Sequence, residues 1–300
     1  MTAPLVFTND YMFQWPGHVF PTGKYRRLAQ RLREAGLASG FYAPSPATDE
    51  QLTACHDEAY LARLERMASG VEKWDPSFEV PVSRQVVDVF RLAAGGTILA
   101  SKLALEHGLA ANLCGGFHHA FPARGEGFCL LNDVPVAAHA MRDHDRIDRA
   151  AVVDLDVHQG NGTAVMAQRD PWLYTFSMHQ ENNYPAKRRS DFDVGLPDGT
   201  GDEEYLDRLT DALTVVGRDA DPDLVYYLAG ADPYAGDRLG GLALSMDGLH
   251  ERDRIVFDWA EMRGAAVVAL LAGGYALDDE DVVTIHFAMV EELLGRLEVA

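Results

Sequence analysis

Basic residues are scarce in this chain: 26 Lys and Arg stand against 46 Asp and Glu, a formal net charge of −20 over 300 residues. A nucleic-acid surface needs a basic patch to neutralise phosphates, so the balance argues against that class of partner. Cysteine is scarce as well. Cys55, Cys114 and Cys129 are odd in number and form no C-x-x-C pair, which indicates neither a disulfide framework nor a thiolate zinc site. No segment approaches the roughly 20 apolar residues needed to span a bilayer. The stretch Met1-Thr2-Ala3-Pro4-Leu5-Val6-Phe7 carries no basic leader pattern. The expectation is a soluble cytoplasmic protein without membrane or nucleic-acid partners. Repeats, low-complexity tracts and linkers are also missing, so one domain over 1–300 is expected. The acidity suits cationic substrates, which a negative surface concentrates, and it equally serves solubility.

What the chain does have is a series of apolar runs ending in glycine or in polar residues. They are Ala110–Cys114, Ala150–Asp156, Leu173–Ser177, Leu224–Ala229 and Ala265–Leu271. Continuous rather than alternating hydrophobicity marks strands covered on both faces. Helical patterns lie between them: Val134–Met141, Asp202–Val216, Gly248–Met262 and Asp279–Leu297. This alternation predicts an α/β, doubly wound, mainly parallel sheet with helices on both faces. The first third is more helical. Lys24–Ala35 precedes Gly36, and Thr48-Asp49-Glu50-Gln51 has capping-box spacing and opens a helix to about Met67. Ser83–Glu106 reads as a long helix containing Gly95-Gly96, a pair that suggests close packing against a neighbour. The segment 182–201, rich in charge, Pro and Gly, reads as a surface loop.

The most informative stretch is Val152-Val153-Asp154-Leu155-Asp156-Val157-His158-Gln159-Gly160-Asn161-Gly162. On an extended strand, alternate residues share a side, so Asp154, Asp156 and His158 converge. Unpaired buried carboxylates are strongly penalised. Side chains reaching solvent at a strand end would avoid that penalty, and so would a bound cation. The in-register His and the Gly-x-Gly bend favour the cation. Other candidate strands end in His118-His119, His179, Asp232 and Tyr275. Ligands of open α/β sheets bind beyond the carboxyl ends of the strands, so these residues predict one shared site.

Five stretches carry a resemblance: Gly115-Gly116-Phe117-His118-His119, Gly127-Phe128-Cys129-Leu130-Leu131-Asn132-Asp133, Asp154 to Gly162, Gly230-Ala231-Asp232 with Ala235-Gly236-Asp237, and Gly273-Gly274-Tyr275. In kind and order they resemble signatures of the zinc-dependent histone deacetylase family, of the arginase/deacetylase fold. His158-Gln159-Gly160-Asn161-Gly162, Ala94-Gly95-Gly96-Thr97-Ile98 and Gly236–Leu242 are most similar to its class IV branch. The resemblance implies a hydrolase removing acyl groups from N-acyl-lysine. It implies that Asp156, His158 and Asp232 ligate one Zn2+, a donor set that also tolerates Fe(II) or Co(II). His119 would be general base and then acid, and His118 would act electrostatically, held by Asp154. Asn161 would orient His119; being uncharged, it leaves that imidazole more readily neutral. Tyr275 would donate to the oxyanion, with Gly273 and Gly274 letting it swing inward. Gly127, Phe128 and Tyr184 would line a narrow acyl-lysine channel. Asp154, Asp156, His158 and Ser177 would surround a structural K+ or Na+.

The chain departs from the family at the channel mouth, where many relatives place an Asp that grips the substrate backbone. Here the loop reads Asp75-Pro76-Ser77-Phe78-Glu79-Val80-Pro81, with Glu79 as an approximate stand-in. The partner is therefore an acyl-lysine protein or peptide, or a cationic N-acyl small molecule such as an acetylated polyamine. A dinuclear manganese ureohydrolase would need more ligands, and two positions after Asp232 stands Tyr234. An inactive acyl-lysine-binding scaffold would commonly lack a ligand or the tyrosine, and all are present. The aromatics Tyr11, Phe13, Trp15 and Phe20 either line a long acyl pocket or plug it; the expectation leans to a lined pocket and longer acyl groups.

Overall fold

The computed structural model describes residues 3–13, 18–20, 22–144 and 146–297. Strands β1 (Leu5–Val6), β2 (Leu109–Asn112), β3 (Ala150–Asp154), β4 (Leu173–Gln180), β5 (Phe192–Leu196), β6 (Leu224–Leu228) and β7 (Ala266–Leu270) form one parallel sheet, ordered β1-β2-β7-β6-β3-β4-β5. All five residues of β3 and of β6 are buried, as continuous apolar runs require of strands covered on both faces. Helices α1 (Gly23–Glu34), α7 (Asp202–Asp219), α8 (Met246–Glu261) and α9 (Asp279–Leu297) pack together as one group. Helices α3 (Glu58–Ala68), α4 (Arg84–His107), α5 (Asp133–Arg142) and α6 (Asn161–Ala167) form a second, joined by the short α2 (Asp49–Thr53). Both α4 and α8 pack on β7. The doubly wound α/β expectation holds. No helix among the described residues is long and apolar enough to cross a membrane.

The topology creates the crevice. After β3 the chain continues to β4 on one side; after β6 it continues to β7 on the other. The ends of these neighbouring strands part at a switch point, where doubly wound folds bind ligands. The Gly95-Gly96 pair in α4 has the reason its sequence suggested. A Cβ on Gly95 would lie 1.8 Å from Ser45 O, and one on Gly96 2.0 Å from the Tyr11 hydroxyl.

Two expectations need correction. The helix opened by the Thr48–Gln51 capping box stops at Thr53, and α3 restarts at Glu58. The break is tertiary. Buried His56 donates from Nδ1 to Phe121 O at 3.1 Å and accepts Asn132 N–H at 3.0 Å, while Asp57 N–H donates to Pro122 O. The segment 182–201 is not all loop, since β5 pairs with β4 at the sheet edge. Phe192 stacks on Phe176, and Asp191 accepts from Thr175 N–H and Oγ1, contacts between residues too distant in sequence to show as a periodicity. Two-residue β1 is likewise too short to leave a pattern.

Candidate active site

Asp156 and His158 follow β3, and Asp232 follows β6. Their ligand atoms all lie within 4.8 Å of one another, and all three residues are buried. His158 Nδ1 is 3.1 Å from Asp156 Oδ1 and 3.4 Å from Asp232 Oδ2. Backbone holds both oxygens of Asp156, through His158 N–H to Oδ1 and Gly273 N–H to Oδ2, but only one of Asp232, through Val157 N–H to Oδ1. Asp232 Oδ2 is buried without a hydrogen-bond partner. A buried orphan of that kind is costly. Titration behaviour agrees. Burial alone would lower His158, but Asp156 and Asp232 outweigh it and raise the imidazole to about 10. Burial, then Asp156, pushes Asp232 up to about 7. The trio demands positive charge at one point, and a divalent cation fits it. Gly273 is required here, because a Cβ would lie 2.0 Å from Asp232 Oδ2.

The two histidines beside this trio differ in environment. His118 Nδ1–H donates to Asp154 Oδ2 at 2.7 Å. Burial would lower its pKa, yet Asp154 and then Asp156 raise it to about 9. His119 Nδ1–H donates to Asn161 Oδ1 at 2.8 Å. Burial, reinforced by His118 and His158, pushes it well below its ordinary value. One imidazole is thus held charged and the other neutral, with their Nε2 atoms 3.1 Å apart. Tyr275 is raised well above its ordinary value by burial and by Asp156 and Asp232, so its hydroxyl keeps its proton and remains a donor.

A cleft of about 180 Å3 leads inward, lined by Glu79, His119, Gly127, Phe128, His158, Asn183, Tyr184, Leu239 and Tyr275. Phe128 and Tyr184 thus both reach it. The Phe128 ring stands edge-on to Tyr275 at 6.1 Å and Tyr184 edge-on to His119 at 5.5 Å. Glu79 is also in the wall, where its Oε2 accepts from Gly127 N–H at 3.0 Å and from the Tyr184 hydroxyl at 3.2 Å. Gly273 lines the innermost space, whereas Gly274 does not. His179 lines neither the cleft nor that inner space and stays apart from the shared site. It lies 3.0 Å from Ser177 Oγ, and Ser177 pairs in register with Asp154.

Beyond the trio the inner space holds only about 20 Å3, room for one water. A space of that size favours a short acyl group over the lined long-acyl pocket toward which the sequence leans. Phe20 closes this space, packed 6.4 Å from Phe117 and 6.2 Å from Tyr275, and Phe13 stacks behind it. Tyr11 is buried in the core and donates to Asn112 Oδ1. Trp15 lies outside the described residues.

Several supporting residues escaped the sequence reading. Asp133, at the start of α5, accepts Gly116 N–H, Phe117 N–H and the Thr97 hydroxyl, offsetting the cost of its burial and fixing the turn before His118. Asp237 accepts Tyr275 N–H at 2.6 Å. Buried Lys24 donates to the carbonyls of Ala272 and Gly273, which lead to Tyr275. Lys24 had a signal: it shares the buried face of α1 with Leu28 and Leu32, at four-residue spacing.

These strand-end residues sit in a chain that matches the histone deacetylase domain family over residues 18–290. An uncharacterized protein of Picosynechococcus sp. is 42% identical over 290 residues, covering 95% of this chain and 96% of that one. Histone deacetylase 2 of Arabidopsis thaliana is 36% identical, over 90% of this chain and 74% of that protein. The histone deacetylase-like amidohydrolase of Pseudomonas aeruginosa is 29% identical, over 93% and 77%. The crystal structure of the HDA15 HD domain shares the fold, with a TM-score of 0.82 over 98% of this chain and 91% of that one at 23% identity. With the ordered motifs gathered at one switch point and a family match over most of its length, the chain belongs to the histone deacetylase family of hydrolases.

Proposed function

We propose that the protein is a metal-dependent deacetylase that removes acetyl and other short acyl groups from lysine side chains. The observation that carries this reading is the Asp156-His158-Asp232 trio at one inner space lined by His118, held by Asp154, by His119, held by Asn161, and by Tyr275. Zn2+, or Fe(II) or Co(II) in the same donor set, would supply the Lewis acidity that polarises an amide and acidifies water. The chain's residues do the rest. His119 keeps its proton on Nδ1 against Asn161, so Nε2 accepts the proton of the attacking water and later delivers it to the leaving amine. His118, held by Asp154, keeps positive charge beside the developing oxyanion, and the Tyr275 hydroxyl donates to it. Phe128 and Tyr184 flank the aliphatic stem of the lysine. A K+ or Na+ among Asp154, Asp156, His158 and Ser177 would brace the loop after β3. The class IV-like His158–Gly162 sequence supports a reading near that branch, and three cysteines without a disulfide suit a cytoplasmic enzyme.

Turnover of an acetyl-lysine peptide and of an N-acetylated polyamine, each with and without chelator, tests this. The expected result is chelator-sensitive hydrolysis of the peptide. Faster hydrolysis of the polyamine would move the substrate to the small-molecule class. Undiminished activity after thorough chelation would overturn the metal, and binding without turnover would make the protein a scaffold.

A further inference from the structure

Glu126 ligates nothing in the trio and lines none of the cleft, yet it reaches the His119 imidazole through a single amide. Asn161 Oδ1 faces two donors, His119 Nδ1–H at 2.8 Å and Gly162 N–H at 3.0 Å. Its Nδ2 donates to Glu126 Oε1 at 2.7 Å. The other oxygen of Glu126 accepts from Arg124, through Nε at 3.2 Å and the guanidinium terminus at 2.9 Å. Reciprocal backbone bonds with Cys129 hold Glu126 in place. A chain of hydrogen bonds thus runs from the buried imidazole through a buried amide to a carboxylate 23% exposed.

We propose that Glu126 is a positioning residue for His119, supplying through Asn161 the negative charge that the amide itself lacks. The inference rests on the reading of His119 as the base, and two physical effects carry it. First, when His119 takes a proton it becomes an imidazolium whose immediate partner is neutral. A carboxylate bonded to the far side of that amide polarises it and makes Oδ1 a stronger acceptor. Second, the carboxylate fixes which way the amide points. A flipped Asn161 would set its NH2 against the N–H groups of Gly162 and His119, and its oxygen against Glu126. With the flip forbidden, His119 must carry its proton on Nδ1 and present the Nε2 lone pair to the reacting space. The bland alternative is a surface ion pair between Arg124 and Glu126, which would contribute little.

Glu126→Gln separates the two accounts, because it keeps the size and can still accept the Asn161 N–H while the charge is gone. Expected is a fall in kcat of about five- to tenfold, the difference between a charged and a neutral hydrogen bond. KM, melting temperature and metal content should stay unchanged. Asn161→Asp alone would set two carboxylates on one contact and be worse than either parent residue. Combined with Glu126→Gln it restores an amide-to-carboxylate pair with the charge moved inward, and kcat should recover. Nitrogen NMR of the His119 ring needs no substrate. It should report the Nδ1–H tautomer in the parent and a gain of the Nε2–H tautomer in Glu126→Ala. Parent-like kcat in Glu126→Gln, failure of the double variant to recover, or an unchanged tautomer in Glu126→Ala would each overturn the proposal. A protein inactive on every acyl amide, but with the tautomer shift intact, would instead remove the proposed function and leave the Glu126 contact standing.

Discussion

The floor of the cleft and its rim are built differently. The floor is made of residues a few positions beyond the strand ends, and Asp156, His158 and Asp232 are all buried there. The carboxylate oxygens are fixed by backbone N–H groups of Val157, His158 and Gly273, and the His158 ring by Asp156 Oδ1. The rim is assembled from Glu79, Asn183, Tyr184 and Leu239, contributed by separate loops, and Tyr184 is 42% exposed. The sheet holds these strand ends rigidly because the interior strands β3, β6 and β7 are each locked to two neighbours; loops have no such ladder. The chemistry is therefore placed where the fold is stiffest, and substrate choice is left where it can vary.

The largest effects should come from the floor. Asp232→Ala removes the one ligand with an orphaned oxygen, and it should abolish both bound metal and activity. Metal analysis of the parent should give one divalent ion per chain; two divalent ions would break the single-metal assignment. Tyr275→Phe removes only the hydroxyl donor and should lower kcat by roughly 10²–10³-fold with metal content intact. A change confined to KM would shift Tyr275 to the rim's side of the comparison. His119→Ala should damage kcat at least as much as His118→Ala, and the opposite order would mean that the base and the electrostatic partner are exchanged.

The same division explains what could be read in the sequence. Strand cores and ligands were legible because Asp154, Asp156 and His158 stand at alternate positions at and just past the end of the unbroken apolar run of β3. Long helices with caps, such as α4 behind Ser83, were legible for local reasons too. Contacts across the fold were not. Asp133 stands in the Gly127–Asp133 motif without a role that the sequence assigns, and only the structure shows its carboxylate turned back onto Gly116 and Phe117. Glu126 and Asn161 stand 35 residues apart, and Glu126 lies just outside the Gly127–Asp133 motif. His56 gave no sign that it would interrupt a helix. The edge strand β5 was hidden because it is only partly buried and carries Asp193 and Gly195 within a charged segment.

Support beneath the floor should make the fold acid-labile. His56 is buried and neutral; burial outweighs its bonds to Phe121 and Pro122 and lowers its pKa from 6.5 to about 4. An unfolded chain would protonate it near 6.5, so the unfolded state binds the extra proton first. Its contribution to stability is full above pH 6.5 and is lost as pH falls toward 4, on the order of 3 kcal/mol at most. Glutamine can both accept from Asn132 N–H and donate to Phe121 O. His56→Gln should therefore flatten the dependence of the urea midpoint on pH between 6.5 and 4. An equally steep dependence in the variant would show that other buried groups, such as His286, govern it.

The smallest effect concerns acyl length, where the inner wall borrows from a loop. Phe20 precedes α1 and is one of the aromatics that reduce the space beyond the trio to about 20 Å3. An acetyl methyl fits beside such a space; each further methylene must displace packed atoms. On one peptide, kcat/KM should therefore fall steadily from acetyl through propionyl to butyryl. Removing the Phe20 ring opens room, and each methylene that enters an apolar pocket gains about 0.8 kcal/mol, roughly fourfold. Phe20→Ala should flatten or reverse the series. The variant will be less stable, because a buried ring has been cut away. The ratio between two acyl groups on one preparation cancels the folded fraction and still reports the pocket. If the parent's kcat/KM instead rises with chain length, Phe20 does not close the acyl path, and the sequence's first expectation of a lined pocket returns.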